Sequence, residues 1–198
     1  MTRRSLSLLT LLLALTALPL SASQFMEVSF DQVARESALI VRGTVSETWS
    51  AWDDAHEVIF TYATVRVHRY FGEATGPDTL LVREVGGTVD GYTQEAIGFP
   101  VIRSGEDVVL MLAKWENSAD FRIHAYNQGK FLVRQRMDGI ETLISDPVRQ
   151  GEARLHTRDR VTANAAVEET GLAIEEFAKM VEDARAGHEG PAKIEKLQ

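Results

Sequence analysis

The chain has 198 residues, 44% of them hydrophobic and 25% charged, which is close to ordinary globular usage and excludes disorder throughout. The net charge of −8 argues against nucleic acid as a partner, because a chain this acidic repels phosphate backbones. There is no cysteine, so the fold must depend on its hydrophobic core without disulfides. One domain with a real core is the expectation.

The first 23 residues have the organisation of a secretory signal peptide. Arg3 and Arg4 form a short cationic start, an apolar run follows over Leu8–Leu20, and Ser21-Ala22-Ser23 supplies the small residues of a cleavage site. The run is too short to span a membrane comfortably. We therefore expect residues 1–23 to be removed and the mature protein to be periplasmic or secreted, with no membrane association afterwards.

Residues 24–147 are predicted to form a β-barrel domain preceded by a short helix. Ser29 and Gln32 have the S-x-x-Q spacing of a helix capping box. The run Val108–Leu112 has no polar side, which is typical of a strand covered on both faces or at a barrel closure. Strands bounded by Gly, Pro, Asp or Asn are predicted over 39–48, 57–69, 79–85, 107–114, 120–126, 130–137 and 140–145.

Asp138-Gly139 is the sharpest turn signal in the chain. Asp-Gly between two apolar-rich runs is typical of a two-residue type I′ hairpin, in which both central residues have positive φ. That turn predicts a register in which Met137 faces Ile140 and Arg136 faces Glu141. The same register predicts an ion pair between Arg136 and Glu141 across the strands.

Residues 148–187 are predicted to form a linker followed by an amphipathic helix. Apolar residues recur at helical spacing between Leu172 and Val181, and Gly187 ends the pattern, so the helix is placed over Ala173–Ala186. The segment 188–198 is predicted to be a disordered tail. The predicted fold is mainly β: an antiparallel barrel or sandwich with a short N-terminal helix and a C-terminal amphipathic helix.

Two segments are candidate binding loops. In the first, 49–56, the rings of Trp49 and Trp52 beside Asp53 could stack on a sugar or a protein partner. Alternatively, the tryptophans cap one end of the barrel and the aspartates only form a turn. Two carboxylates are too few for a calcium site, so no metal is predicted.

The second segment, 86–100, begins with Gly86-Gly87 and carries Tyr92, Ile97 and Phe99. It has no phosphate-loop motif and no following helix. Fifteen residues form a long connection, and such connections are often functional. Two alternatives stay open: a structural corner that packs Tyr92, Ile97 and Phe99, or part of a binding surface that includes Tyr92 and Phe99.

No signature of catalysis or of a cofactor is present. The five histidines lack metal-binding spacing, and there is no G-x-S-x-G. The favoured function is a non-catalytic binding module that presents loops 49–56 and 86–100 to an extracytoplasmic protein or glycan. The alternative is a hydrolase that uses acids and a histidine near the same loops, and convergence of two of these acids with His68 or His124 in one pocket would favour it. The residues named for that alternative are Asp53, Asp54, His56 and Glu84.

The order of several segments resembles a group of uncharacterised exported bacterial proteins over residues 29–146. More distantly, the pattern is similar to the OB-like barrel of netrin-type domains and tissue inhibitors of metalloproteinases, which implies a barrel. Those inhibitors chelate zinc through an amino-terminal cysteine, and this chain has none. The resemblance therefore implies the fold and not that mechanism. The segments concerned are Leu39–Val45, Phe60–Val67, Tyr70–Gly72, Val85–Gly87, Pro100–Leu110 and Gln128–Phe131.

Overall fold

A computed structural model of the protein describes residues 28–116, 118–145 and 171–187. The predicted signal peptide (1–23), residues 148–170 of the predicted linker and the predicted tail (188–198) lie outside the described residues. Ten strands and two helices follow one another in the described part. They are helix α1 (Phe30–Glu36) and strands β1 (Leu39–Trp52), β2 (Ile59–Tyr70), β3 (Thr79–Val85), β4 (Gly87–Val89), β5 (Tyr92–Gln94), β6 (Asp107–Lys114), β7 (Phe121–Ile123), β8 (Lys130–Gln135), β9 (Glu141–Ser145) and β10 (Leu172–Ala173), then helix α2 (Ile174–Arg185).

Five strands close into a barrel in the order β1-β2-β3-β7-β6, and pairing of β1 with β6 completes the ring. The chain is therefore mainly β, as predicted, and the expected OB-like barrel is present with a helix near each end of the described chain. Strands β8, β9 and β10 continue the sheet beyond β6. None of the helices in the described residues is long and apolar enough to cross a membrane.

Strand β6 is buried on both faces, as its unbroken apolar run predicts. Val108, Leu110 and Leu112 point into the barrel, whereas Val109 and Met111 point into a second core beneath the helices. All five residues are fully buried. The alternation of a strand thus makes β6 the wall that the two cores share.

The second core forms where α1 and α2 cover the sheet. Phe177 of α2 is fully buried at its centre and meets three aromatic rings edge-on. Ser29 begins α1 by accepting a hydrogen bond from the Gln32 amide, as predicted. Helix α2 spans Ile174–Arg185, within one residue of the predicted bounds.

The hairpin between β8 and β9 has a different register from the predicted one. Gln135, not Arg136, pairs with Glu141, and Val133 pairs with Leu143. Gly139 has a φ of 84° while Asp138 does not have positive φ, so the type I′ turn is wrong. The pattern instead fits a longer loop with one left-handed glycine.

The predicted ion pair between Arg136 and Glu141 is also wrong. Arg136 lies beside Asp138 at 3.2 Å. Glu141 receives two hydrogen bonds from Arg42, at 2.6 and 2.7 Å. A one-residue slip moves every side chain to the other face, which is why the partner changed.

Candidate functional site

A row of aromatic and arginine side chains crosses the outer face of the barrel. Trp49 on β1 pairs with Tyr62 on β2, which in turn pairs with Arg83 on β3. Directly paired residues share a face, so the three side chains lie side by side. The rings of Trp49 and Tyr62 are stacked, with centroids 5.4 Å apart and planes 8° apart. We call Trp49, Phe60, Tyr62, Arg83 and Trp115 the aromatic row.

Arg83 holds the centre of the aromatic row. Its guanidinium carbon lies 4.7 Å from the ring centroid of Phe60, 5.0 Å from that of Trp115 and 6.0 Å from that of Tyr62. Asp120 approaches its Nε at 3.8 Å, too far for a hydrogen bond. Cation–π attraction from three rings therefore positions this charge.

Trp52 lies on the opposite face of β1 from Trp49. Both tryptophans belong to the strand, so the prediction of a loop beginning at residue 49 is wrong. The last cross-strand pair of β1 and β2 is Trp52 with Ile59, and this pairing keeps the segment extended. Trp52 is stacked on His56 at 6.0 Å and meets the edge of Tyr92 at 6.2 Å.

Asp53 forms the turn between β1 and β2. Its Oδ1 accepts hydrogen bonds from the amides of Glu57 and Val58, at 2.7 and 3.0 Å. These two amides hold the pKa of the Asp53 carboxyl below its usual value. The side chain therefore has the structural role of a turn former in the described chain.

Residues 86 and 87 form a tight corner. Gly87 has a φ of 140°, and a Cβ there would lie 2.4 Å from Ser50 Oγ and 2.7 Å from Thr61 Oγ1. The corner leads into the β4–β5 hairpin, which the sequence did not predict because each strand has only three residues. Gln94 fastens that hairpin by accepting a hydrogen bond from the Ile59 amide at 2.7 Å.

The expected packing of the 86–100 segment is only partly present. Tyr92 and Ile97 are 68% and 74% exposed, so neither is packed into a corner, contrary to that alternative. Phe99 is partly buried against the edge of Tyr126 at 4.9 Å. Of the five candidate binding residues, Trp52, Asp53 and Tyr92 cluster at one end of β1. Trp49 lies on the other face of β1, and Phe99 lines a separate cleft.

That cleft lies where the barrel closes between β3 and β7. These two strands run parallel and share a single pair, Val82 with Phe121. Beyond this pair, the Ile123 N–H of β7 donates to Glu84 Oε1 on β3. Trp115, which follows β6, donates its Nε1–H to the Arg83 carbonyl on β3 at 2.9 Å. We call the resulting space the seam cleft. Its lining consists of Glu84, Val85, Phe99, Trp115, Arg122, Ile123 and Tyr126.

Glu84 is the buried acid of the seam cleft. It is 3% exposed, and this burial raises its pKa to about 8, opposed by the Ile123 amide and the Arg122 charge. The carboxyl is therefore mostly protonated at neutral pH. A buried carboxyl with a raised pKa beside a cleft is a common feature of functional sites.

The backbone beside the seam cleft is strained. Ala125 and Tyr126 have φ values of 55° and 57°, a left-handed conformation that is uncommon for residues other than glycine. Each such residue costs on the order of 1–3 kcal/mol unless its surroundings hold it in place. Gly129 allows the close return of the chain, because a Cβ there would lie 2.1 Å from the His124 carbonyl oxygen.

The residues named for the hydrolase alternative do not share one set of neighbours. Asp53 and His56 belong to the β1–β2 turn, whereas Glu84 belongs to the seam. His68 contacts Thr44 Oγ1 at 2.8 Å, and His124 contacts Glu36 at 3.3 Å. Over the described ranges, no group of three or more histidine, aspartate or glutamate side chains could hold a metal ion.

Sequence reasoning named Trp49 in the aromatic row and Glu84 and Phe99 in the seam cleft, but it missed the other members of both sites. Phe60 and Tyr62 alternate with buried residues along β2, a visible signal of rings on one outer face. Arg83, Trp115 and Arg122 carried no such signal, because the closure of the barrel brings them together. The two sites belong to an OB-like barrel domain. The sequence matches no protein-family model, and no curated protein matches it either.

Proposed function

We propose that this protein is an exported, non-catalytic binding module that presents the aromatic row and the neighbouring β4–β5 hairpin to an extracytoplasmic protein or glycan. The stacked, partly exposed rings on the outer sheet face are the main observation in its favour. Trp49 is 40% exposed while it is stacked on Tyr62. Export rests on the predicted signal peptide at residues 1–23.

The residue types of the row suit recognition. Tryptophan, tyrosine and arginine are enriched among the residues that dominate binding energy at interfaces. Arg83 and the stacked rings are already positioned by one another, so little side-chain entropy remains to be lost when a partner binds. In the part of the chain that the structure describes, helices α1 and α2 pack elsewhere, against β6 and β9, and do not cover this face of the sheet.

The β4–β5 hairpin extends the same end of β1. Tyr92 is largely exposed at its tip and touches Trp52. The end of the β1–β2 ribbon therefore carries aromatic rings on both faces. Such rings offer a flat apolar surface to a sugar ring or a peptide side chain.

The test is binding of the mature chain to a glycan array and to proteins of the extracytoplasmic fraction by cross-linking, followed by affinity measurement on the isolated partner. Trp49→Ala and Tyr62→Ala should weaken binding at least 10-fold, since a hot-spot residue contributes about 2 kcal/mol or more. Met137→Ala is the matched control, because Met137 is fully exposed at a distant hairpin tip. A partner that binds both row variants as tightly as the wild type would contradict the proposal.

A hydrolase is the second candidate, and the observation that favours it is the protonated Glu84 beside a cleft. Such an enzyme needs a second reactive group within reach, and Tyr126 is the other titratable acid lining the seam cleft. Hydrolysis of a panel of ester and glycoside substrates, abolished by Glu84→Gln, would favour this candidate over the binding module.

A further inference from the structure

The seam cleft has room for a benzene-sized ligand. Its volume is about 180 Å³, and it lies between β3, β7 and the 3₁₀ turn Tyr126–Gly129. A protein cavity of roughly 150 Å³ accommodates benzene. The rings of Phe99, Trp115 and Tyr126 form much of its wall. A ligand with a flat apolar body of about six to nine heavy atoms fits this space.

Two polar groups in the seam cleft have unused hydrogen-bonding capacity. Oε1 of Glu84 accepts from the Ile123 amide, while Oε2 has no hydrogen-bond partner among the described residues and is not among the buried atoms that lack one. Arg122 lies over the Trp115 ring at 5.9 Å. Within the described residues, no carboxylate lies at ion-pair distance from Arg122. Both groups therefore remain open to a ligand.

The charge state of these groups decides what they recognise. At neutral pH the Glu84 carboxyl is mostly protonated and can donate, since its pKa is raised to about 8. The Arg122 guanidinium is always charged and only donates. Two donors, one of them cationic, suit an anionic acceptor, and a cationic amine would be repelled by Arg122.

We propose that the seam cleft binds the carboxylate of a small organic acid, holding it between the Arg122 guanidinium and the Glu84 carboxyl with its apolar body against Trp115 and Phe99. Arginine binds carboxylates well because its planar fork can donate two parallel hydrogen bonds. This site shares Trp115 with the aromatic row and is otherwise separate from it. Binding of a small acid does not require the protein or glycan partner, so the two proposals can fail separately.

Groups on three elements next to Glu84 influence whether its carboxyl is protonated when a ligand binds. The cross-strand neighbour on β2 is uncharged Thr61. Strand β7 supplies Arg122, and the 3₁₀ turn supplies the Tyr126 phenol. Other titratable groups nearby are engaged elsewhere: Arg83 approaches Asp120, and His124 contacts Glu36.

The pH dependence of binding has a definite sign. Above pH 8 the Glu84 carboxyl is ionised, so it can no longer donate a hydrogen bond. Its negative charge then repels an anion. A bound carboxylate should therefore be held more tightly at pH 6 than at pH 9.5, by at least 10-fold. A bound amine would show the opposite trend.

The experiment is calorimetric titration of the full mature chain with benzoate, benzylamine and benzyl alcohol at pH 6 and pH 9.5. We expect benzoate to bind most tightly at pH 6 and at least 10-fold more weakly at pH 9.5. Glu84→Gln keeps a neutral donor at both pH values, so benzoate affinity should become nearly independent of pH. Arg122→Gln should weaken benzoate binding at least 10-fold at both pH values, while Met137→Ala should match the wild type.

Several results would overturn the carboxylate site. These are no benzoate binding at 10 mM, benzylamine binding at least as tightly as benzoate at pH 6, or a Glu84→Gln variant that keeps the pH dependence of the wild type. A circular dichroism spectrum of each variant identifies one that fails to fold. For a misfolded Arg122→Gln, Arg122→Lys is the substitute; it keeps the charge but removes the planar fork, so weakened binding is again expected and unchanged affinity counts against the site.

Discussion

Two sides of the barrel's outer surface cover their aromatic side chains in different ways. Under the helices, Phe177 is surrounded by Phe30, Phe71 and Phe131, with ring centroids 5.3 to 5.6 Å away, and is excluded from solvent. On the outer face of β2 and β3, the rings of Phe60 and Tyr62 are packed by the Arg83 guanidinium and remain partly exposed.

The difference shows which apolar surface contributes to the stability of the fold. A helix from the same chain covers the first side completely, so its apolar area contributes to stability. An arginine covers the second side only in part, because its charged head must keep contact with water. Among the described residues, the remaining apolar area of the second side stays partly exposed, and the proposed binding function rests on this exposure.

The largest expected effect is that of Phe177→Ala, which should lower the free energy of unfolding by about 3–5 kcal/mol because it leaves a cavity in the second core. Phe60→Ala, on the partly exposed side, should cost clearly less. Urea denaturation measures both, with exposed Lys179→Ala as the control on the same helix. Equal losses for the two phenylalanines would show that the outer face is a core after all.

Glu84→Gln should stabilise the protein in alkaline solution. The pKa of Glu84 is raised to about 8 in the folded state from an ordinary value of 4.5, so the folded chain keeps a proton that the unfolded chain releases. The free energy of unfolding of the wild type therefore falls by up to about 5 kcal/mol as pH rises from 4.5 to 8, and it stays at the lower value above that pH.

The comparison is made by denaturation at pH 4 and at pH 9. We expect the Glu84→Gln variant to exceed the wild type at pH 9 by a few kcal/mol and to match it at pH 4. A difference of the same size at both pH values would mean that burial does not shift the titration of Glu84.

Arg42→Met should cost about 1–2 kcal/mol, since Arg42 joins two acids, Asp107 and Glu141, that are each about one-third exposed and partly screened. Arg42 lowers the pKa of Glu141, so this contribution is present above the ordinary pKa and is lost as pH falls through the folded value. The difference from wild type should shrink at pH 3.

Arg136→Met is the matched control for Arg42→Met, because Arg136 lies at the exposed hairpin tip beside Asp138. Its effect should stay within about 0.5 kcal/mol. A larger loss for Arg136→Met than for Arg42→Met would restore the register predicted from the Asp-Gly turn. Urea denaturation at pH 7 separates the two.

A smaller loss of stability than that of Arg42→Met is expected for Trp49→Ala, at about 0.5–1.5 kcal/mol, which is the range for an aromatic pair. Thermal unfolding followed by circular dichroism measures it, with Ile97→Ala as an exposed control. A loss above about 3 kcal/mol would indicate that Trp49 belongs to the folding core rather than to a binding surface.

Strand and helix positions were predictable where the signal was local. The Ser29 cap, the unbroken apolar run of β6 and the apolar stripe on α2 are each visible as a pattern within a short stretch of sequence. The end of β1 was not predictable, because the polar, small residues around Trp52 suggest a turn and only pairing with β2 keeps them extended. The hairpin register failed because Asp138-Gly139 is compatible with more than one turn geometry.

The sequence by itself determined a cysteine-free, mainly β domain with a helix near each end of its folded part. Only the tertiary structure decided that Trp49 and Trp52 lie on opposite faces and that Glu84 meets the amide of Ile123, 39 positions away in the chain. The physical reason is that the alternation of apolar and polar residues along a strand indicates which side chains are buried, whereas the pairing of strands in the closed barrel determines which side chains they contact. Sites that depend on such neighbours leave no local pattern.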